Sequence, residues 1–107
     1  MRVLSYSGDL HGQPEQARTL RDGPQSTECT VIDLLGVTHL DERFTEALFF
    51  LLNRCLKSRT MVVLIATGDV RRRLNGYGVE QIARIVSNRD AGVKLGAALE
   101  KLALPGT

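Results

Sequence analysis

A strand of the buried type that runs directly into a long amphipathic helix constrains this sequence most. Residues 31–55 begin with an apolar run, turn at Thr38 and His39, and continue as a helix for which Asp41 is the predicted N-cap. Apolar residues then recur at helical spacing, at Phe44, Ala47, Leu48, Leu51, Leu52 and Cys55. A strand that feeds such a helix is half of a βαβ unit. We expect the turn between them to carry the function.

The rest of the chain predicts more units of the same kind. We predict strands at 3–7, 30–35, 61–66 and 82–86, and helices at about 14–21, 41–57, 69–74 and 91–102. The run at 61–66 is apolar without alternation, which is typical of a parallel strand buried on both faces. The predicted fold is therefore one α/β domain over 1–107, with four consecutive βα units. Its mostly parallel four-stranded sheet has helices packed mainly on one face, which leaves the second face of 61–66 for a partner.

Composition and charge argue against several function classes. The chain has 43% hydrophobic and 24% charged residues, as globular domains do, and a net charge of only +2, which does not favour nucleic-acid binding. Cys29 and Cys55 have neither the CxxC spacing nor the paired histidines of a zinc site, so we predict no metal, and a buried free thiol at Cys55. The chain shows no signal peptide and no apolar run of membrane-spanning length, which predicts a cytoplasmic protein without membrane insertion.

In this order, the units resemble a STAS domain, the family named for sulphate transporters and anti-sigma factor antagonists. The matching segments are SGDL at 7–10, DLLGV at 33–37, VVLI at 62–65 and VRRRL at 70–74, followed by Gly78 and Ala91. The resemblance covers nearly the whole chain and depends on the order and spacing of these segments. It implies a run of βα units and a regulatory role through protein binding.

The turn departs from the phosphorylation motif of that family. In signalling members it reads Asp-Ser-Ser-Gly, and a partner kinase that is also an anti-sigma factor phosphorylates the first Ser. Here Asp41 matches the Asp, but Glu42, Arg43 and Phe44 replace the other three positions. Glu42 is then either a permanent, incomplete phosphate mimic or an acid that stabilises the helix N-terminus. Thr38 and Thr45 are alternative phosphate acceptors.

The resemblance implies a protein partner for this turn and helix. We predict partner contacts at His39, Asp41, Glu42, Arg43, Thr45, Glu46, Phe50 and Asn53. Phe50 stands away from the apolar stripe, and aromatic residues are enriched at interfaces; its alternative is a second packing layer. The first interpretation is an anti-sigma factor antagonist that docks an anti-sigma kinase or switch protein. The alternative is an accessory subunit of a phospholipid-transport ABC complex that binds its ATPase.

An enzyme is the third interpretation of the same turn. His39, Asp41 and Glu42 follow a parallel strand, where sites of α/β proteins lie. The sequence offers no matching nucleophile, oxyanion donors or phosphate-binding glycine motif, so we predict no enzymatic activity and no cofactor.

Three further expectations concern charged residues and the sheet edge. Asp33 lies inside a buried-type strand and needs a hydrogen-bonding or charged partner. The run Arg71, Arg72, Arg73 is expected to face solvent, with a contact to phosphate or to an acidic partner as the alternative. An open edge strand permits a homodimer.

Overall fold

The computed structural model describes residues 2–9, 29–40, 42–58 and 60–103 of the chain. These residues form strands β1 (Arg2–Asp9), β2 (Thr30–His39), β3 (Val62–Ile65) and β4 (Arg84–Val86), and helices α1 (Glu42–Lys57), α2 (Gly68–Gly76) and α3 (Arg89–Ala103). A short 3₁₀ helix, Val79–Gln81, precedes β4. The helix predicted at 14–21 and the predicted N-cap Asp41 lie outside the described residues.

The four strands form one parallel sheet in the order β1-β2-β3-β4. Helices α1 and α2 pack on the same face of this sheet, as crossovers of a single hand require when strands follow chain order. The predicted α/β class, its four parallel strands and the placement of most helices on one face are therefore confirmed.

The apolar stripe of α1 forms the larger core. All six residues predicted from the helical spacing are buried: Phe44, Ala47, Leu48, Leu51, Leu52 and Cys55. They pack against Ile32, Leu34 and Leu64 of the sheet, and the rings of Tyr6 and Phe44 meet edge to face with centroids 5.0 Å apart. Burying each large apolar side chain contributes about 1.5–3 kcal/mol, so this stripe decides where α1 lies.

The second face of the sheet is covered by α3, and the prediction that a partner covers it is wrong. Val31, Val63 and Ile65 pack there against Leu95 and Leu99. The handedness rule applies to a helix that connects two parallel strands. No described strand follows α3, so the rule does not decide on which face of the sheet α3 packs. The apolar face of β3 that α1 and α2 leave uncovered decides it.

Strand β2 is longer than the predicted 30–35, because β1 pairs with it as far as Asp9 opposite His39. Two register shifts keep the ladder continuous, and a Cβ at Gly36 would lie 2.9 Å from the Cβ of Ser7, so the first shift brings the strands very close. Thr38 and His39 are thus strand residues, and the prediction of a turn there is wrong. Of the described residues, only Leu40 lies between the end of β2 and the start of α1.

Two helix ends also differ from the predictions. From the sequence, Asn75-Gly76 is expected to end α2, with Gly76 in the left-handed conformation. Gly76 is still helical, and Gly78, with φ of 75°, adopts that conformation. The sequence also favours Asp69 as the cap of α2, but the helix begins after Thr67 and Asp69 lies in its first turn. Gly78 is also the residue from which the 3₁₀ helix Val79–Gln81 begins, so the left-handed conformation is needed there and not at Gly76.

Candidate functional site

The connection between β2 and α1 is held from both sides. The side chain of Leu40 is buried, whereas His39 before it and Glu42 after it are exposed. Arg73 of α2 donates a hydrogen bond from Nη1 to the carbonyl oxygen of Leu40, at 3.3 Å. The apolar anchor and this bond from a different element fix the start of α1. No pattern in the sequence predicts the Leu40–Arg73 contact.

Four of the eight predicted contact residues lie on the exposed side of α1. Glu42, Glu46, Phe50 and Asn53 are exposed and fall in one line along the helix, opposite the buried stripe. We call these four residues, together with Leu56, the α1 outer surface. Leu56 is 58% exposed and was missed in the sequence, although it follows Asn53 by three positions.

The other predicted contact residues border the α1 outer surface. Arg43 and His39 are exposed, and Thr45 is half-buried. Asp41 lies outside the described residues. The predicted set is therefore brought together at the start and along one side of α1, apart from Asp41.

Phe50 is the large apolar side chain in the middle of this surface. It is 46% exposed, as its helical position predicts. The guanidinium carbon of Arg54 lies 5.8 Å from the centre of its ring, a cation–π contact that favours an outward-facing ring. Phe49 next to it turns towards α2, where its ring meets Tyr77 edge to face at 5.8 Å. The two neighbouring aromatic residues therefore have different roles, one exposed and one between helices.

Asp33 has the partners that its burial requires. Its Oδ2 lies 2.6 Å from Nη1 of Arg89, and its Oδ1 accepts the backbone N–H of Leu35 at 2.9 Å. Arg89 also donates to the hydroxyl of Ser5 at 3.2 Å. Both carboxylate oxygens are engaged, so the predicted structural role of Asp33 is confirmed.

The two cysteines are buried and free, Cys55 as predicted. Burial raises the pKa of the Cys55 thiol above its usual range, and the nearby Arg54 opposes this only in part. Burial, followed by the charge of Glu100, raises the pKa of Cys29. Since the thiolate is the nucleophilic form, neither cysteine is activated for attack at neutral pH.

Nowhere in ranges 2–9, 29–40, 42–58 and 60–103 do three or more His, Cys, Asp or Glu side chains gather at metal-binding distances. No helix within the same ranges combines the length and apolar character that crossing a bilayer demands.

Comparison with known proteins finds no matching family model and no matching curated protein. The resemblance to STAS domains accordingly stays a prediction made from the sequence.

Proposed function

We propose that this chain is a non-enzymatic, STAS-type module that binds a regulatory protein through the α1 outer surface and the turn before it. The observation that carries the proposal is the exposed ring of Phe50 among Glu42, Glu46 and Asn53. A partly exposed aromatic anchor within a polar rim is the usual arrangement at the centre of a protein–protein interface.

Glu42 defines how such a module works. A phosphorylated Ser carries a charge of about −1.5 to −2, which a kinase adds and a phosphatase removes. Glu42 is exposed at the start of α1 with one permanent charge. Binding is then stoichiometric and not switched at this position. By the resemblance, the partner is an anti-sigma kinase or a similar switch protein.

The test is affinity capture with the immobilised full chain and an extract of the native cells. We expect a protein that the wild type retains and the Phe50→Ala variant loses, because truncating an anchor of this kind costs about 2 kcal/mol or more, roughly thirtyfold in affinity. The Leu56→Ala variant is expected to weaken capture less, since Leu56 lies at the end of the surface.

Leu35→Ala is the matched control. Leu35 is 40% exposed, and because its neighbour Leu34 points into the α1 core, strand alternation turns Leu35 to the opposite face. Equal capture by wild type, Phe50→Ala and Leu35→Ala would rule out α1 as the docking surface. A stability loss of about 3–5 kcal/mol in Phe50→Ala would instead make Phe50 a core residue.

The protein retained also separates the two partner classes that the resemblance implies. A soluble kinase-like protein supports the anti-sigma interpretation. A membrane-associated ATPase supports the accessory subunit of a phospholipid-transport ABC complex.

A further inference from the structure

A small cavity lies beside the turn, between the end of β2 and helix α2. Its volume is about 240 Å³, below the roughly 300–1,000 Å³ of pockets for drug-sized ligands, so its size suits one or two side chains. Leu40 and Val70 are both nearly buried and form its apolar part. The polar part comes from Arg72 and Arg73, with Asp69 beside them and Thr38 and His39 from the end of β2.

The charge of the cavity is positive. Among the described residues that line it, Arg72 and Arg73 contribute two guanidinium groups, Asp69 contributes one carboxylate and His39 an imidazole. The adjoining α1 outer surface, by contrast, begins with Glu42 and Glu46. An acidic group is therefore repelled from the side of α1 that carries Glu42 and Glu46 and attracted to the cavity.

The two arginines are held differently. Arg73 donates one hydrogen bond to the Leu40 carbonyl at 3.3 Å, which holds its guanidinium beside the turn. Because a guanidinium has five N–H donors, Arg73 keeps other donors for a ligand. Arg72 pairs with Asp69 at 3.3 Å, with both side chains more than 80% exposed. Such an exposed pair contributes only about 0–1 kcal/mol, and Arg72 can exchange Asp69 for another carboxylate at little cost.

We propose that this cavity binds the carboxylate of an acidic residue in the protein that docks on α1. Arg73 supplies the fixed donors, Arg72 the mobile ones, and Leu40 and Val70 contact the methylene stem of the incoming side chain. The inference rests on the proposed function for the source of the acidic residue, while the cavity itself does not depend on it. The acidic residue fixes the orientation of the partner, because the opposite orientation would set it against Glu42 and Glu46.

The probe is a fluorescein-labelled hexaglutamate peptide, titrated with the full chain at low salt and followed by fluorescence anisotropy. Removing the charge of Arg73 in Arg73→Gln is expected to weaken binding about tenfold or more, as for loss of a charge-assisted hydrogen bond. Arg72→Gln is expected to weaken it as well. Arg84→Gln is the matched control, since Arg84 is exposed on β4, outside the cavity, and loses the same charge; its effect is expected to stay below about twofold.

Asp69→Asn gives a test of opposite sign. It removes the competing carboxylate and releases Arg72, so binding is expected to tighten about two- to fivefold, a gain that unfolding cannot produce. If Arg84→Gln and Arg73→Gln weakened peptide binding equally, the peptide would be responding to the net charge of the protein, and the proposal would be overturned. An unchanged affinity in Asp69→Asn would overturn it as well.

Inorganic phosphate and acetate, matched in ionic strength, identify the preferred anion. Displacement of the peptide by phosphate at a much lower concentration than by acetate would overturn a carboxylate site. Phe50→Ala is expected to bind the peptide as the wild type does. A failed peptide titration therefore refutes the cavity alone, and lost discrimination in the capture experiment refutes the α1 surface alone.

Discussion

Asp33 and Arg89 form the ion pair that ties β2 to the start of α3. Asp33 is 8% exposed, and a charge with so little contact with water is costly unless it is paired and hydrogen-bonded. Arg89 supplies the counter-charge at 2.6 Å and is the first residue of α3. The pair therefore places the N-terminus of α3 over the carboxylate. Asn88, directly before the helix, caps it, because its Oδ1 accepts the Ala91 N–H at 2.7 Å.

Arg89→Met is expected to destabilise the fold by leaving Asp33 without its counter-charge. Removing one partner of a fully buried pair costs about 3–5 kcal/mol. The Arg89 side chain is 54% exposed, and solvent screening lowers the expected loss to about 1–3 kcal/mol. Urea unfolding measures it. In an Asp33→Asn background the same substitution is expected to cost less, and an equal loss in both backgrounds would show that the pair is not the cause.

Residue-level predictions from the sequence succeeded where the signal was local. The helical spacing placed Phe50 outside the core, and hydropathy alone showed that Asp33 needed a partner. The identity of that partner, Arg89, was not predictable because 56 positions separate the two residues. The Arg73 bond to Leu40 was missed for the same reason, since it joins residues 33 positions apart.

At the scale of elements, α3 approaches the sheet most closely at Gly92. The apolar pattern of the sequence placed Ala98 inward with Leu95 and Leu99, but Ala98 is exposed, while Gly92 and Gly96 are buried. A glycine has no apolar side chain, so it does not contribute to a periodic hydropathy pattern. The pattern therefore located the helix correctly but misplaced part of the face that contacts the sheet. The length of β2 was underestimated similarly, because its last residues are held by pairing with β1 and not by their own apolar alternation.

Gly92→Ala tests this close approach. An added Cβ would lie 2.6 Å from Cγ1 and Cδ1 of Ile65, a fully buried residue of the apolar cluster between α3 and the sheet. Helix propensity would gain about 1 kcal/mol, whereas overpacking costs about 1–3 kcal/mol, so thermal unfolding is expected to show a net loss. At Gly76 of α2 an added Cβ meets nothing within 4 Å, and Gly76→Ala is expected to be neutral or stabilising. Stabilisation by both substitutions would mean that α3 does not pack this closely on β3.

At the scale of the whole molecule, the sheet separates two apolar clusters of the described residues, and each cluster contains a cysteine. Cys55 belongs to the cluster under α1 and α2, and Cys29 to the smaller cluster under α3. The class of fold was predictable because each βα unit carries its own periodicity. The division into two clusters was not, since it depends on which face the last helix takes, a choice that no later strand constrains.

The two thiols predict how the stability of the whole molecule changes in alkali. Burial raises the pKa of both above the ordinary 9.0, so above this pH the unfolded chain releases thiol protons that the folded chain keeps. The stabilising contribution is complete below pH 9.0 and is lost as the pH rises through the folded-state values. Urea unfolding from pH 8 upward is expected to show the free energy of unfolding falling more steeply for the wild type than for a Cys29→Ala, Cys55→Ala double variant.

Tyrosine and lysine side chains also ionise in this pH range. The double variant is the appropriate reference because it keeps all of them and lacks only the two thiols. Single variants divide the effect between the clusters: Cys29→Ala leaves only the thiol under α1, and Cys55→Ala only the thiol under α3. If the molecule unfolds as one unit, the two single variants each recover part of the difference, and the parts add. Parallel curves for wild type and double variant would show that solvent reaches both thiols in the folded state, and the two clusters would then not be closed cores.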